Sequence, residues 1–184
     1  VIGPLVVSGV LADESQLKKL MCLGVADSKK LSRSRREELF FKIKAICQIN
    51  SVTVPPQELD RNLTMIEIQA MTQIINELKP DLTLIDAPVG PKGIDAFSAS
   101  LVCKTKLTVE NRADEQYPIV SAASIIAKVE RDLIIKELRE RWGDFGWGYP
   151  SEKKTQRFLR EWHRKHGSFP KFVRQRWRTL DKMK

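Results

Sequence analysis

Asp86 and Asp114 are the residues whose type and spacing point to chemistry. Asp86 ends the run Asp81-Leu-Thr-Leu-Ile-Asp86, which reads as a short strand just ahead of a Pro-Gly-rich loop. Asp114 lies in a polar loop after Lys104 to Val109, whose alternation reads as the next strand. The two aspartates are 28 residues apart, room for one helix and one strand. If the strands pair in parallel, both carboxylates emerge at one sheet edge, where open α/β sheets carry their sites. Such a pair suits a hard divalent cation, because Mg²⁺ takes few carboxylates and keeps water. Metal-assisted phosphodiester hydrolysis is the chemistry that follows.

The elements that must position this pair are legible around it. Pro118 suits a first helical position, where its missing N–H has no intrahelical partner to lose. Ser121, Ala122, Ala123 and Ser124 keep the first turns of that helix thin, so another backbone or a ligand can approach. Ala122, Ile126, Val129 and Leu133 recur at helical spacing and anchor it on a core. The helix is expected to run to about Trp142.

Upstream, Ile2 to Leu11 reads as a buried strand and Asp13 to Leu23 as a helix with Leu17, Leu20 and Met21 on one side. Ala26-Asp-Ser-Lys-Lys-Leu31 is a polar loop. Ser32 or Ser34 can cap a helix from about Arg35 to Ile46. Ile49 to Val54 alternates as a strand; Thr64 to Leu78 is a helix ended by Pro80; a further helix is expected over Ile94 to Leu101. Gly143 to Pro150 is a glycine-rich loop with three aromatics. Glu152 to His166 reads as a helix with Gly167 as its C-cap, and Phe169 to Lys184 as a basic segment ending in a short helix. Strands alternating with helices give an α/β fold with some parallel pairing. The expected division is a core over 1–150 and a basic helical segment over 151–184 packed on it.

Composition narrows the class. The 184 residues suffice for one domain with a sizeable core. No apolar run approaches the ~20 residues that span a bilayer. Cys22, Cys47 and Cys103 are odd in number and far apart, as expected for reduced thiols in a cytoplasmic protein. From Glu152 to Lys184 twelve Lys and Arg face three Asp and Glu, which accounts for the whole net charge of +9. Each phosphate that such a segment contacts releases condensed counterions, so nucleic acid is its expected partner. The bland alternative is a solvated basic helix.

Taken in order, several segments resemble type 2 ribonuclease H, or ribonuclease HII, in its archaeal and eukaryotic form. They are Val1-Ile-Gly-Pro-Leu-Val-Val, Ala26-Asp-Ser-Lys-Lys-Leu-Ser32, Leu84-Ile-Asp86, Ala113-Asp-Glu-Gln-Tyr-Pro118, Val120-Ser-Ala-Ala-Ser-Ile-Ile-Ala-Lys-Val-Glu-Arg-Asp132, Gly146-Trp-Gly-Tyr-Pro150 and Val173-Arg-Gln-Arg-Trp-Arg-Thr179. The resemblance implies a ribonuclease H-like mixed sheet flanked by helices. It implies hydrolysis of the RNA strand of RNA–DNA hybrids, and cutting 5′ of ribonucleotides embedded in duplex DNA. Four carboxylates in the family hold two Mg²⁺ or Mn²⁺ ions; Asp86 matches the third and Asp114 the fourth.

The first two belong to a strand ending Asp-Glu-Ala-Gly-Arg-Gly, which the family carries just ahead of the segment matching Val1. That strand is central in the family's sheet and is not among these 184 residues. The expectation is therefore an N-terminally incomplete, inactive chain with an open place in its sheet. Tyr149 matches the tyrosine that stacks on the deoxyribose following the ribonucleotide; the alternative is a packing tyrosine. Trp147 stands where small residues are usual. Ser28 and Lys29, with Asp27, match a motif near the family's site, Lys29 as a phosphate contact. Arg112 stands in place of the usual Lys, and Arg174 belongs to a C-terminal signature that reads as partly structural, with Trp177 in the core. Lys128 and Arg131 have surface ion pairs as their alternative, and His163 and His166 are read as solvated or near phosphate, not as ligands. A monomer is expected, with three readings open: a metal-dependent endonuclease, an inactive module that only binds nucleic acid, or a subunit of a three-chain enzyme.

Overall fold

The structure is a computed structural model that describes residues 1–25, 31–60 and 62–183. Its elements in chain order are β1 (Leu5–Leu11), α1 (Glu14–Cys22), α2 (Arg33–Ile46), β2 (Gln48–Val54), α3 (Leu63–Leu78), β3 (Leu82–Asp86), α4 (Ile94–Ala99), β4 (Lys106–Glu110), α5 (Ala113–Gln116), α6 (Pro118–Trp142) and α7 (Lys153–His166). The α/β alternation is the expected one. Local chemistry sets the ends. Asp13 and Gln16 form a reciprocal capping box on α1. Ser32, not Ser34, caps α2 by accepting from Arg35 N–H. Gly167 closes α7 in the left-handed region at φ 67°.

β3 and β4 pair in parallel, with Leu82 opposite Lys106 and Asp86 opposite Glu110. β1 and β2 form a separate two-stranded sheet. Among the described residues the two pairs share no ladder. Helix α3 packs on members of both pairs. Ile68 and Ile75 cluster with Ile85 of β3 and Leu107 and Val109 of β4. Gly9 of β1 lies so close to Ile74 and Leu78 that a Cβ there would overlap the Ile74 side chain.

Chain contacts separate two compact units, one of residues 1–6, 53–63 and 130–184, the other of residues 7–52 and 64–129. The boundary falls inside α6, and the basic segment 151–184 belongs with 130–150. The second unit has one core of Leu20, Leu39, Ile43, Ala122, Ile125, Ile126 and Val129, and another around α3, β3 and β4. The first unit's core gathers Ile2, Ile135, Phe145, Leu159, Val173 and Leu180. Leu133, expected on the buried face of α6, is exposed. Ile125 and Ile135 are buried instead, because past Val129 the buried side of the helix turns away from Leu133 toward Asp132 and Ile135. The three cysteines are free thiols. Among the described residues no helix is long and apolar enough to cross a membrane.

Candidate active site

In the second unit, the parallel register of β3 and β4 delivers Asp86 and Glu110 to the same edge. The backbone beyond them is tied across: Ala87 N–H donates to the Glu110 carbonyl at 2.8 Å. Asn111 Nδ2 donates to the Val89 carbonyl at 2.6 Å. Arg112 then adopts φ 61°, ψ 31°, a left-handed conformation that costs a non-glycine residue roughly 1–2 kcal/mol. That reversal aims the Ala113 N–H at Asp86 Oδ1, 3.1 Å away.

Asp114 is the next residue. It lies not in an irregular loop but in the single helical turn α5, and it is 2% exposed. Tyr117 ends that turn, and its hydroxyl is shared between both Glu110 carboxylate oxygens at 3.3 Å each. Burial, and then the facing Glu110 carboxylate, push the Tyr117 phenol above its ordinary range, which keeps it a donor. The small-residue start of α6 is filled by backbone, since buried Ser121 donates to the Val25 carbonyl.

Asp86 and Asp114 are therefore brought to one strand edge by the register and by a direct bond from Ala113 N–H. As donors they fit a hard divalent cation, two carboxylate ligands being usual for Mg²⁺. Among the described residues no set of three or more His, Cys, Asp or Glu is grouped to hold a metal. Arg112 is exposed and forms a bidentate pair with Glu115, Nε–Oε1 2.9 Å and Nη2–Oε2 2.8 Å. Ser28 and Lys29 lie outside the described residues, as does Asp27. Sequence reasoning passed over Glu110, Asn111 and Tyr117, although Glu110-Asn-Arg-Ala-Asp114 is contiguous. The signal was the polar residues flanking Asp114.

In the first unit, the glycine-rich loop hangs on Glu152. Its Oε2 accepts from Trp147 N–H at 2.7 Å, Tyr149 N–H at 3.3 Å and the Thr155 hydroxyl at 3.0 Å. Gly148 has φ 79°, and a Cβ there would come within 2.8 Å of Ile2 Cβ and 2.9 Å of the Ile2 carbonyl oxygen. Tyr149 extends from this fixed loop with 43% of its surface exposed. Trp147 is held under the Arg139 guanidinium, 4.8 Å from the ring centroid.

Arg174 is buried and donates to the carbonyls of Gly3 (3.1 Å) and Pro4 (2.9 Å), stacking on Trp177 at 4.5 Å. This is the structural half of its expected signature; a guanidinium so placed is a clamp on the backbone. Arg131, read with a surface pair as its alternative, is only 13% exposed in its side chain. His163 packs at a tilt against Phe169, and His166 against Trp162.

A family model described as Ribonuclease HII matches residues 1–180. The Ribonuclease HII of Archaeoglobus fulgidus is 44% identical over 191 residues, covering 100% of this chain and 91% of that protein. The solved PCNA:RNase HII complex from Archaeoglobus fulgidus superposes with a TM-score of 0.89 at 41% identity, covering 100% of this chain and 91% of that one. The ribonuclease H2 of Pyrococcus horikoshii OT3 gives 0.88 at 38% identity, covering 100% and 90%.

Proposed function

The chain belongs to the ribonuclease HII family, endonucleases that degrade the RNA of RNA–DNA hybrids, and we propose that Asp86 and Asp114 are its share of a two-metal hydrolytic site. The reading extends to cleavage 5′ of single ribonucleotides in duplex DNA, leaving 5′-phosphate and 3′-hydroxyl ends. The observation that carries it is the Ala113 N–H bond to Asp86 at the carboxyl edge of β3 and β4, with buried Asp114 one residue on. Mg²⁺ or Mn²⁺, when bound, supplies the Lewis acidity that activates the attacking water and steadies the leaving 3′ oxygen.

The chain's own residues set the stage for that chemistry. Asn111, Glu110 and Tyr117 lock the turn that carries Asp114, so the carboxylate needs little reorganisation to take up a cation. On this reading Tyr149, 43% exposed, stacks on the sugar that follows a ribonucleotide. The exposed Lys153, Lys154, Arg157, Arg160 and Arg164 of α7 offer cations to the duplex backbone. Arg112 serves as a peripheral phosphate contact, and Lys29 and Ser28 retain the substrate roles that the resemblance gives them.

These 184 residues hold two of the four carboxylates implied by the resemblance. The second reading follows from that count: on their own they bind duplexes without cutting them. The test compares residues 1–184 with the same chain carrying a strand ending Asp-Glu-Ala-Gly-Arg-Gly ahead of Val1. The substrate is a duplex with one embedded ribonucleotide, in Mg²⁺ and in Mn²⁺. Binding without cleavage is expected from the first chain and cleavage from the second. In the second, Asp86→Asn and Asp114→Asn should each lower the rate by at least about a hundredfold. Full cleavage by residues 1–184 would sink the count of four, and an active Asp114→Asn variant would remove Asp114 from the site.

A further inference from the structure

We propose that Arg131 is a positioning residue that sets the ring of Tyr149 for recognition of an RNA–DNA junction. The inference rests on the reading of Tyr149 given above and adds the group that orients it. Arg131 lies on α6, and its guanidinium is fixed by three acceptors. Nη2 donates to the Trp147 carbonyl at 2.7 Å and to the Ile2 carbonyl at 3.3 Å. Nη1 donates to Asp132 Oδ1 at 3.1 Å, an ion pair whose side chains are 13% and 7% exposed. The guanidinium carbon lies 4.6 Å from the centroid of the Tyr149 ring.

This arrangement uses both properties that separate arginine from lysine. The fork's N–H groups meet three acceptors, and the guanidinium carbon lies over an aromatic ring. One of those acceptors, the Trp147 carbonyl, belongs to the loop that carries Tyr149, so the same group fixes both the loop's path and the ring. The loop cannot drift without breaking the hydrogen bond to its Trp147 carbonyl, and the ring cannot turn away without leaving the guanidinium. Tyr149 is still 43% exposed, and so remains able to meet a sugar. A ring already held in one orientation loses less freedom on binding, and what it gains in affinity falls on the duplex that offers the matching sugar.

The experiment is a double-mutant cycle on the full chain, with Arg131→Lys and Tyr149→Ala singly and together. Anisotropy in EDTA gives the Kd for three duplexes: one embedded ribonucleotide in DNA, an RNA–DNA hybrid with no junction, and all DNA. Thermal melts accompany each variant. Tyr149→Ala should lower the preference for the embedded ribonucleotide over all DNA. Arg131→Lys should lower the same preference about two- to tenfold, and should lower it no further when Tyr149 is already Ala.

If Tyr149→Ala leaves the preference unchanged, the reading of Tyr149 itself fails and the proposal with it. If Tyr149→Ala lowers it but Arg131→Lys does not, or weakens all three duplexes equally, only the positioning role is overturned. Should Arg131→Lys not fold, Asp132→Asn takes its place in the cycle. It keeps the guanidinium and loosens its anchor, and the same outcomes decide.

Discussion

Asp144 shows how a loop carboxylate becomes a fixed charge. Lys154 Nζ lies 2.6 Å from one oxygen, while Gly146 N–H (3.1 Å) and Arg139 Nη2 (2.7 Å) meet the other. Lys154, then the Gly146 N–H, then Arg139 hold its pKa at about 2, below the usual 3.8. A carboxylate depressed on folding adds stability above its unfolded pKa and loses that contribution as pH falls through the folded value. The melting difference between the native chain and Asp144→Asn should therefore be constant above about pH 4 and shrink toward pH 2. Melts across that range check it, and a difference that widens in acid would contradict the assignment. Gly148 is constrained by space as well as by φ, because its neighbours are the Ile2 carbonyl and a β-branched side chain that cannot swing away. Gly148→Ala should cost at least about 1 kcal/mol, seen as a lower urea midpoint.

At the scale of elements, the carboxylate edge depends on α3 bridging the two strand pairs. Gly9 allows β1 to approach Ile74 and Leu78, while Ile68 and Ile75 of the same helix grip β3 and β4. Gly9→Val drives a branched side chain into that interface, and overpacking of this kind costs about 1–3 kcal/mol. The destabilisation should appear in denaturant unfolding, and an unchanged midpoint would show that α3 can shift away. The turn between β4 and α6 illustrates what sequence reading left unseen here. The strand, the Pro118 start and the closing of β3 at Asp86 were legible from pattern and spacing. The α5 turn was not, because four residues are too few to show a period. Its stability comes from Asn111 and Tyr117 reaching to Val89 and Glu110, bonds that only the folded backbone supplies.

At the scale of the whole molecule, charge and burial act separately. The excess of cations at the C-terminal end is a property of composition, and on α7 it becomes an exposed face because Thr155 and Leu159 are the buried positions. Binding to duplex DNA should weaken steeply with salt, and Arg157→Gln with Arg160→Gln should flatten the log–log slope by up to about 0.9 for each phosphate left without its cation. An unchanged slope in anisotropy titrations would place the duplex elsewhere. By itself the sequence determined the α/β alternation, the C-cap at Gly167, the basic end and the place of Asp86 at the close of a strand. Each is carried by local propensity, spacing or composition, and needs no partner distant in the chain. Tertiary structure alone decided that Arg174 clamps Gly3 and Pro4, that Arg131 leaves the surface to lie under Tyr149, and that Glu152 hangs the glycine-rich loop. From sequence Arg131 has a surface pair as its alternative and Arg174 reads as partly structural, but nothing local names the groups that they or Glu152 meet. Their burial is settled by which backbone carbonyls and N–H groups the fold leaves without other partners, and no local pattern records that.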